Sequence, residues 1–167
     1  YKKTMTKIKN ICVIGDGGWG TTLAVLLAKK GFSVTVWGIF PEYIEVVKTA
    51  SENIKFLPGV KIPDNVQFTS VLSDAINVSE LVILAVPSQF MRGVLTMLKM
   101  EDVSNKVLVS VTKGIENSTL KRMSEVIYEV LGDHKLAALS GPTIALEVAN
   151  GSPSTAVAAS TDIDLAR

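Results

Sequence analysis

The segment Ile14-Gly15-Asp16-Gly17-Gly18-Trp19-Gly20 sets three glycines at the spacing G-x-G-x-x-G. Each glycine has its own task if the segment joins a strand to a helix. Gly15 permits a tight turn, Gly17 lets the backbone come close to a pyrophosphate, and Gly20 lets the helix pack against the strand. Backbone N–H groups at the helix N-terminus then face an anion that the helix dipole also favours. The chemistry indicated is the binding of a dinucleotide, NAD or NADP. A P-loop is excluded, because no Gly-Lys-Ser/Thr follows to meet a terminal phosphate and magnesium.

Dinucleotide sites of this kind usually carry an Asp or Glu about twenty residues further on, at the end of the second strand, to bind the adenosine ribose. Trp37-Gly38-Ile39-Phe40 stands there instead. The acid is absent, and so is an Arg between residues 37 and 43 that would favour a 2′-phosphate. Glu42 and Glu45 are the nearest charges, and the choice between NAD and NADP stays open. Two other reactive residue types are set aside. Cys12, the only cysteine, lies in an apolar run and reads as a buried small side chain, neither staple nor nucleophile. His134, the only histidine, lies in the turn Gly132-Asp133-His134-Lys135 and reads as a solvated loop residue.

Glycine-rich turns are common, so the flanking elements carry the weight. Residues 10–14 form a short apolar, β-branched run that reads as a strand buried on both faces. Residues 19–30 follow with Leu23, Leu26 and Leu27 at helical spacing, Ala24 and Ala28 beside them and Gly31 as the stop. Residues 33–37 repeat the strand signal, completing a βαβ unit of about thirty residues, whose crossover is right-handed. A second helix is expected after Pro41, containing Ile44, Val47 and Lys48. An irregular loop over 53–64 comes next. Further on, strands are expected at 66–69, 81–86, 106–111, 136–139 and 154–159, and helices at 71–76, 89–99, 119–131 and 143–149. The last long helix would present Leu120, Met123, Ile127, Val130 and Leu131 on one face. The alternation predicts an α/β domain with a Rossmann-like, doubly wound, mostly parallel sheet covered by helices on both faces. Ligands in such sheets bind at the carboxyl ends of strands, so functional residues should follow strands.

With 167 residues the chain makes one domain, and one near this size buries roughly 70% of the surface its unfolded chain exposes. Lys plus Arg number 17 against 16 for Asp plus Glu, and the lysines are spread along the chain. Nucleic-acid binding, which needs a gathered basic patch, is therefore not expected. Apolar runs fall far short of the ~20 residues that span a bilayer, and the amino terminus has no long apolar core. No membrane insertion and a cytoplasmic location are expected.

Several segments together resemble NAD(P)-dependent glycerol-3-phosphate dehydrogenases of the bacterial type. Gly15-Asp16-Gly17-Gly18-Trp19-Gly20-Thr21-Thr22-Leu23-Ala24 is similar to that family's G-x-G-x-[WYF]-G-T-[AT]-L-A opening, and Trp37-Gly38 to the end of its second strand. Asn53-Ile54-Lys55-Phe56-Leu57-Pro58-Gly59 resembles its N-x-x-[FYH]-L-P-G loop, and Val86-Pro87-Ser88-Gln89-Phe90 its V-P-[SH]-x-x turn. Thr112-Lys113-Gly114 and Ser140-Gly141-Pro142-Thr143-Ile144-Ala145 resemble its T-K-G and S-G-P-[ST]-[FI]-A signatures. The resemblance runs over about residues 8–160, in order and at ordinary spacing.

It implies an enzyme that interconverts dihydroxyacetone phosphate and sn-glycerol 3-phosphate by hydride transfer, in the service of glycerophospholipid synthesis. Lys113 would polarise the substrate oxygen, and Gly141 and Thr143 would contact the substrate. Cofactor contacts would fall to Gly15, Gly17, Gly18, Trp19, Gly20, Ile39, Phe90, Lys113 and Ala145. No metal is implied. The family's proton-donating lysine and phosphate-binding arginine come from a helical C-terminal domain. Residues 1–167 are therefore expected to hold the dinucleotide-binding half, inactive by itself, of an enzyme for which a homodimer is the expected assembly. Two alternatives remain open: another two-domain NAD(P) dehydrogenase, of the hydroxy acid or hydroxyacyl type, and a non-catalytic dinucleotide-binding redox sensor.

Overall fold

A computed structural model describes residues 8–167. The expected lack of an apolar leader concerns residues that lie partly outside the described ones. Seven strands form the sheet: β1 (Asn10–Ile14), β2 (Ser33–Trp37), β3 (Val66–Thr69), β4 (Leu81–Leu84), β5 (Val107–Ser110), β6 (Leu136–Ser140) and β7 (Val157–Ser160). Their order is β3-β2-β1-β4-β5-β6-β7. All neighbours are parallel except β7, which runs antiparallel to β6 at the edge. The order reverses between β1 and β4. Crossovers from β1 lead outward through β2 to β3, and the chain then returns to start β4 on the other side. Ile14 pairs with Trp37 on one flank and Leu84 on the other. The carboxyl ends of the three central strands thus stop level with one another, and the segments that leave them diverge to opposite faces and open a crevice.

The strands read as near-continuous apolar runs because both faces are covered. Ile11 and Val13 point to a core shared with α1 (Gly18–Lys29) and α2 (Pro41–Ala50), and Ala149 of α6 (Ala145–Ala149) joins it. Cys12 and Ile14 point the other way, to a core shared with α3 (Leu72–Asn77), α4 (Ser88–Leu98) and α5 (Met123–Leu131). Side chains such as Ile14, Leu84, Leu95, Leu108 and Ile127 are fully buried, each worth about 1.5–3 kcal/mol of transfer free energy. Cys12 is completely buried, and burial pushes its thiol up to about 12, which removes it as a nucleophile.

Two expectations change. The helix expected over 119–131 begins only at Met123, and Leu120, assigned to its apolar face, is 72% exposed with φ 57°. A competing local structure holds residues 115–122 instead. Ile115 and Arg122 form a bridge, the Glu116 N–H donates to the Lys121 carbonyl at 2.9 Å, and the Leu120 N–H donates to the Glu116 carbonyl at 2.8 Å. The Glu116 carboxylate anchors this turn by accepting from the Arg92 guanidinium at 2.8 and 2.9 Å and from the Thr119 hydroxyl. The second change is at His134, expected in solvent. It is half-buried, with Nδ1 3.4 Å from the Gly132 carbonyl and Nε2 out of contact with water.

Candidate functional site

The crevice at the switch point is a cleft of about 830 Å³, within the usual range for small-molecule and cofactor sites. Four segments that leave carboxyl ends of strands build it: residues 15–19 after β1, 85–87 after β4, 111–113 after β5, and Thr143 with Ala145 after β6. Gly38, Ile39 and Phe40 after β2 close one end. Its walls are mostly apolar, with α4 contributing Phe90, Gly93, Val94 and Met97.

The glycine turn is shaped by close approaches. Gly15 has φ 118°, a conformation open to glycine, and its N–H donates to the Trp37 carbonyl at 2.9 Å. A Cβ on Gly20 would overlap the Gly15 carbonyl oxygen and lie 3.3 Å from Val13 Cγ1, so glycine here sets how closely α1 sits on β1. A Cβ on Gly18 would stand 2.5 Å from the Phe56 carbonyl oxygen. Gly17 differs: a Cβ there meets nothing within 4 Å, and the residue borders the cleft as the N-cap of α1. No acidic side chain lies in the first turn of α1 and no side chain caps it. The first N–H groups of the helix are therefore left for an anion.

Asn53 fixes this turn from outside. It is fully buried, and its Nδ2 donates to the Asp16 carbonyl and to Thr21 Oγ1, both at 2.7 Å. Its Oδ1 accepts from the Tyr43 hydroxyl at 2.6 Å and the Phe56 N–H at 3.1 Å. The loop over 53–64 is thus a brace for the glycine turn. Across the cleft, the Thr22 hydroxyl donates to the Ala145 carbonyl at 3.1 Å, joining α1 to α6. Thr112 Oγ1 lies 3.2 Å from the Leu84 carbonyl and 2.8 Å from that of Val86, tying the end of β5 to that of β4. Lys113 follows directly. It is exposed, and its ammonium donates to the Thr143 carbonyl at 2.8 Å.

Of the residues singled out in the sequence, Gly15, Gly17, Gly18, Trp19, Ile39, Phe90, Lys113, Thr143 and Ala145 border the one cleft. Phe90 and Ile39 stand at its lips, 66% and 51% exposed. Gly20 lies behind the turn. Gly141 also lies outside the lining, and its missing side chain makes room for the backbone of Thr155 and Ala156 entering β7. Asp16, Phe56, Gly93 and Met97 border the cleft without having been singled out. Glu42 and Glu45, the nearest charges in sequence to the end of β2, are exposed on α2 and away from it. No group of three or more potential metal-ligating side chains occurs among the described residues. Nor is any described helix long and apolar enough to cross a membrane.

Fold and cleft together define a dinucleotide-binding domain of the doubly wound α/β class. Residues 10–166 match the sequence model of the NAD-dependent glycerol-3-phosphate dehydrogenase N-terminus. The chain is 47% identical over 157 residues to a glycerol-3-phosphate dehydrogenase [NAD(P)+] of Pelodictyon phaeoclathratiforme, covering 92% of this chain and 47% of the relative. It is 40% identical to that of Corynebacterium glutamicum, over 95% of this chain and 48% of the relative. The crystal structure of the Coxiella burnetii glycerol-3-phosphate dehydrogenase superimposes with a TM-score of 0.88 at 28% identity, over 93% of this chain and 48% of that one. The chain belongs to the NAD-dependent glycerol-3-phosphate dehydrogenase family and corresponds to its N-terminal part. It spans about half the length of the curated relatives it matches.

Proposed function

We propose that this domain is the cofactor-binding half of an enzyme that interconverts dihydroxyacetone phosphate and sn-glycerol 3-phosphate. The observation that carries the proposal is the meeting of Lys113 and Thr143, from β5 and β6, with the glycine turn of β1 on one cleft. The residues fit a dinucleotide: Gly17 leaves open space against free helix N–H groups, and the rest of the cleft is apolar enough to take flat rings. Gly15, Gly17, Gly18 and Trp19 would hold its diphosphate end, with Gly20 behind them seating α1 on β1, Ile39 its adenosine end, and Phe90, Ala145 and Lys113 its nicotinamide end. Bound there, the reduced nicotinamide supplies the hydride.

The work of the chain is positioning and charge stabilisation. Lys113 brings an ammonium to the oxygen of the substrate carbonyl, where negative charge develops, and already has a hydrogen-bonding partner in the Thr143 carbonyl that fixes its direction. Thr143 offers a hydroxyl to the substrate. Gly141 shapes the β6 turn that carries Thr143, whose N–H donates to the Gly141 carbonyl at 2.8 Å. The remaining half of the enzyme would close over exposed Ile144, Leu146 and Val157 beside this edge and exclude water. A cytoplasmic setting, a homodimer and a role in supplying glycerophospholipid backbones complete the proposal.

The test is NADH or NADPH oxidation on adding dihydroxyacetone phosphate to the natural full-length protein. Turnover is expected, and Lys113→Met should lower kcat by about 10²–10³, the usual cost of removing one group that stabilises a developing oxyanion. Absence of turnover with both dinucleotides, or full activity in Lys113→Met, would overturn the assignment.

A further inference from the structure

The end of β2 lacks an acid, yet a carboxylate sits there. Asp16, the first variable residue of the glycine turn, borders the cleft beside Gly38. A Cβ built on Gly38 would lie 2.5 Å from Asp16 Oδ2 and 2.6 Å from its Cγ. The Asp16 carboxyl group therefore fills the space that a side chain at the end of β2 would otherwise take. Gly38 itself is fixed, its N–H donating to the Thr69 carbonyl at 3.0 Å.

Asp16 Oδ2 is out of contact with water and has no hydrogen-bond partner. An unpartnered, desolvated carboxylate oxygen is costly to keep. Burial accordingly pushes the Asp16 carboxyl above the ordinary carboxylate range, against smaller opposing pulls, first from a hydrogen bond with its own backbone N–H and then from the Lys55 ammonium. Lys55 lies outside the cleft lining, its ammonium 4.9 Å from the centre of the Phe56 ring and 5.8 Å from that of Tyr43. What Asp16 Oδ2 lacks is a donor, and a vicinal diol brings two. A phosphate monoester brings none when fully ionised, and sets a second negative charge against the first.

We propose that Asp16 supplies, from the glycine turn, the carboxylate that β2 lacks, accepting hydrogen bonds from the adenosine ribose hydroxyls and selecting NAD against NADP. This rests on the dinucleotide reading of the cleft and adds its specificity. Gly38 is part of the same arrangement, since any larger residue would displace the carboxylate.

The test is equilibrium titration of the natural full-length protein with NADH and with NADPH, read by nicotinamide fluorescence, with thermal melts to verify folding. Wild type should bind NADH at least about tenfold more tightly than NADPH. Asp16→Ala should weaken NADH by about tenfold and bring the two affinities close together. Asp16→Asn, which keeps the shape, should weaken NADH less while relieving the repulsion of NADPH. Adding Gly38→Asp to Asp16→Ala should restore the preference, because the acid returns from the other strand. Binding of neither dinucleotide by folded wild type would overturn the dinucleotide reading and this assignment together. NADH binding with a preference that Asp16→Ala leaves unchanged, or a wild-type preference for NADPH, would overturn this assignment alone.

Discussion

Gly17 and Gly20 lie three residues apart in one motif, yet substitution should separate their effects completely. A Cβ on Gly17 meets nothing within 4 Å, and its φ of −68° and ψ of 176° suit any residue. Gly17→Val should therefore change stability by no more than about 1 kcal/mol, the balance of a poorer N-cap against a stiffer unfolded chain. Its methyl groups would project over the first N–H groups of α1. Displacing two charge-assisted hydrogen bonds to a diphosphate, at about 1.5 kcal/mol each, weakens NADH by about a hundredfold or more. Gly20→Ala acts the other way round. Its Cβ overlaps a backbone carbonyl that cannot swing aside, so α1 must shift away from β1, a strain of about 1–3 kcal/mol or more. For a domain of this size that lowers Tm by roughly 2–12 °C. Thermal melts and NADH titrations of both variants provide the measurement. Unchanged NADH affinity in folded Gly17→Val, or an unshifted melt in Gly20→Ala, would refute the reasoning.

Two other outcomes follow from the polar contacts. Asn53→Ala leaves the Asp16 carbonyl and the Tyr43 hydroxyl without their buried partner, and should cost about 1–3 kcal/mol in denaturant unfolding and weaken NADH binding with it; wild-type values for both would contradict the bracing role. Glu116 is held charged by the Arg92 guanidinium and then by the Thr119 hydroxyl, its carboxyl lowered from 4.5 to about 2. Because the folded form binds its proton less readily than the unfolded form, the stabilisation is fully present above about 4.5 and is lost as pH falls towards about 2. Glu116→Gln should lower stability at neutral pH and flatten that acid limb in denaturant melts, and an unaltered limb would count against the ion pair.

Strands were the most legible part of the sequence, because runs such as residues 10–14 and 33–37 are buried on both faces and bounded by glycine or polar residues. The late start of α5 was not, since Leu120 fits the helical period. What displaces it is the carboxylate of Glu116, tied to Arg92 of a different helix, and such a pairing leaves no trace in periodicity. Within the site, the glycines carry their roles in their spacing. Lys113 and Thr143 were reachable only through whole motifs, because a single Lys or Thr has no pattern. Asn53 was visible as part of a motif but not as a brace. Asp16 was hidden by its position: a search for the ribose-binding acid looks at the end of β2, and proximity across the β1–β2 edge appears only once the chain is folded.

The central claim, that the cleft at the β1–β4 switch point holds a nicotinamide dinucleotide facing the substrate, is tested most directly by a crystal structure of the natural full-length protein with NADH and dihydroxyacetone phosphate. The diphosphate should lie on the N–H groups that begin α1 at Gly17 and Gly18, with the Lys113 ammonium turned to the substrate oxygen. A dinucleotide bound elsewhere, or a Lys113 remote from the substrate, would contradict the account.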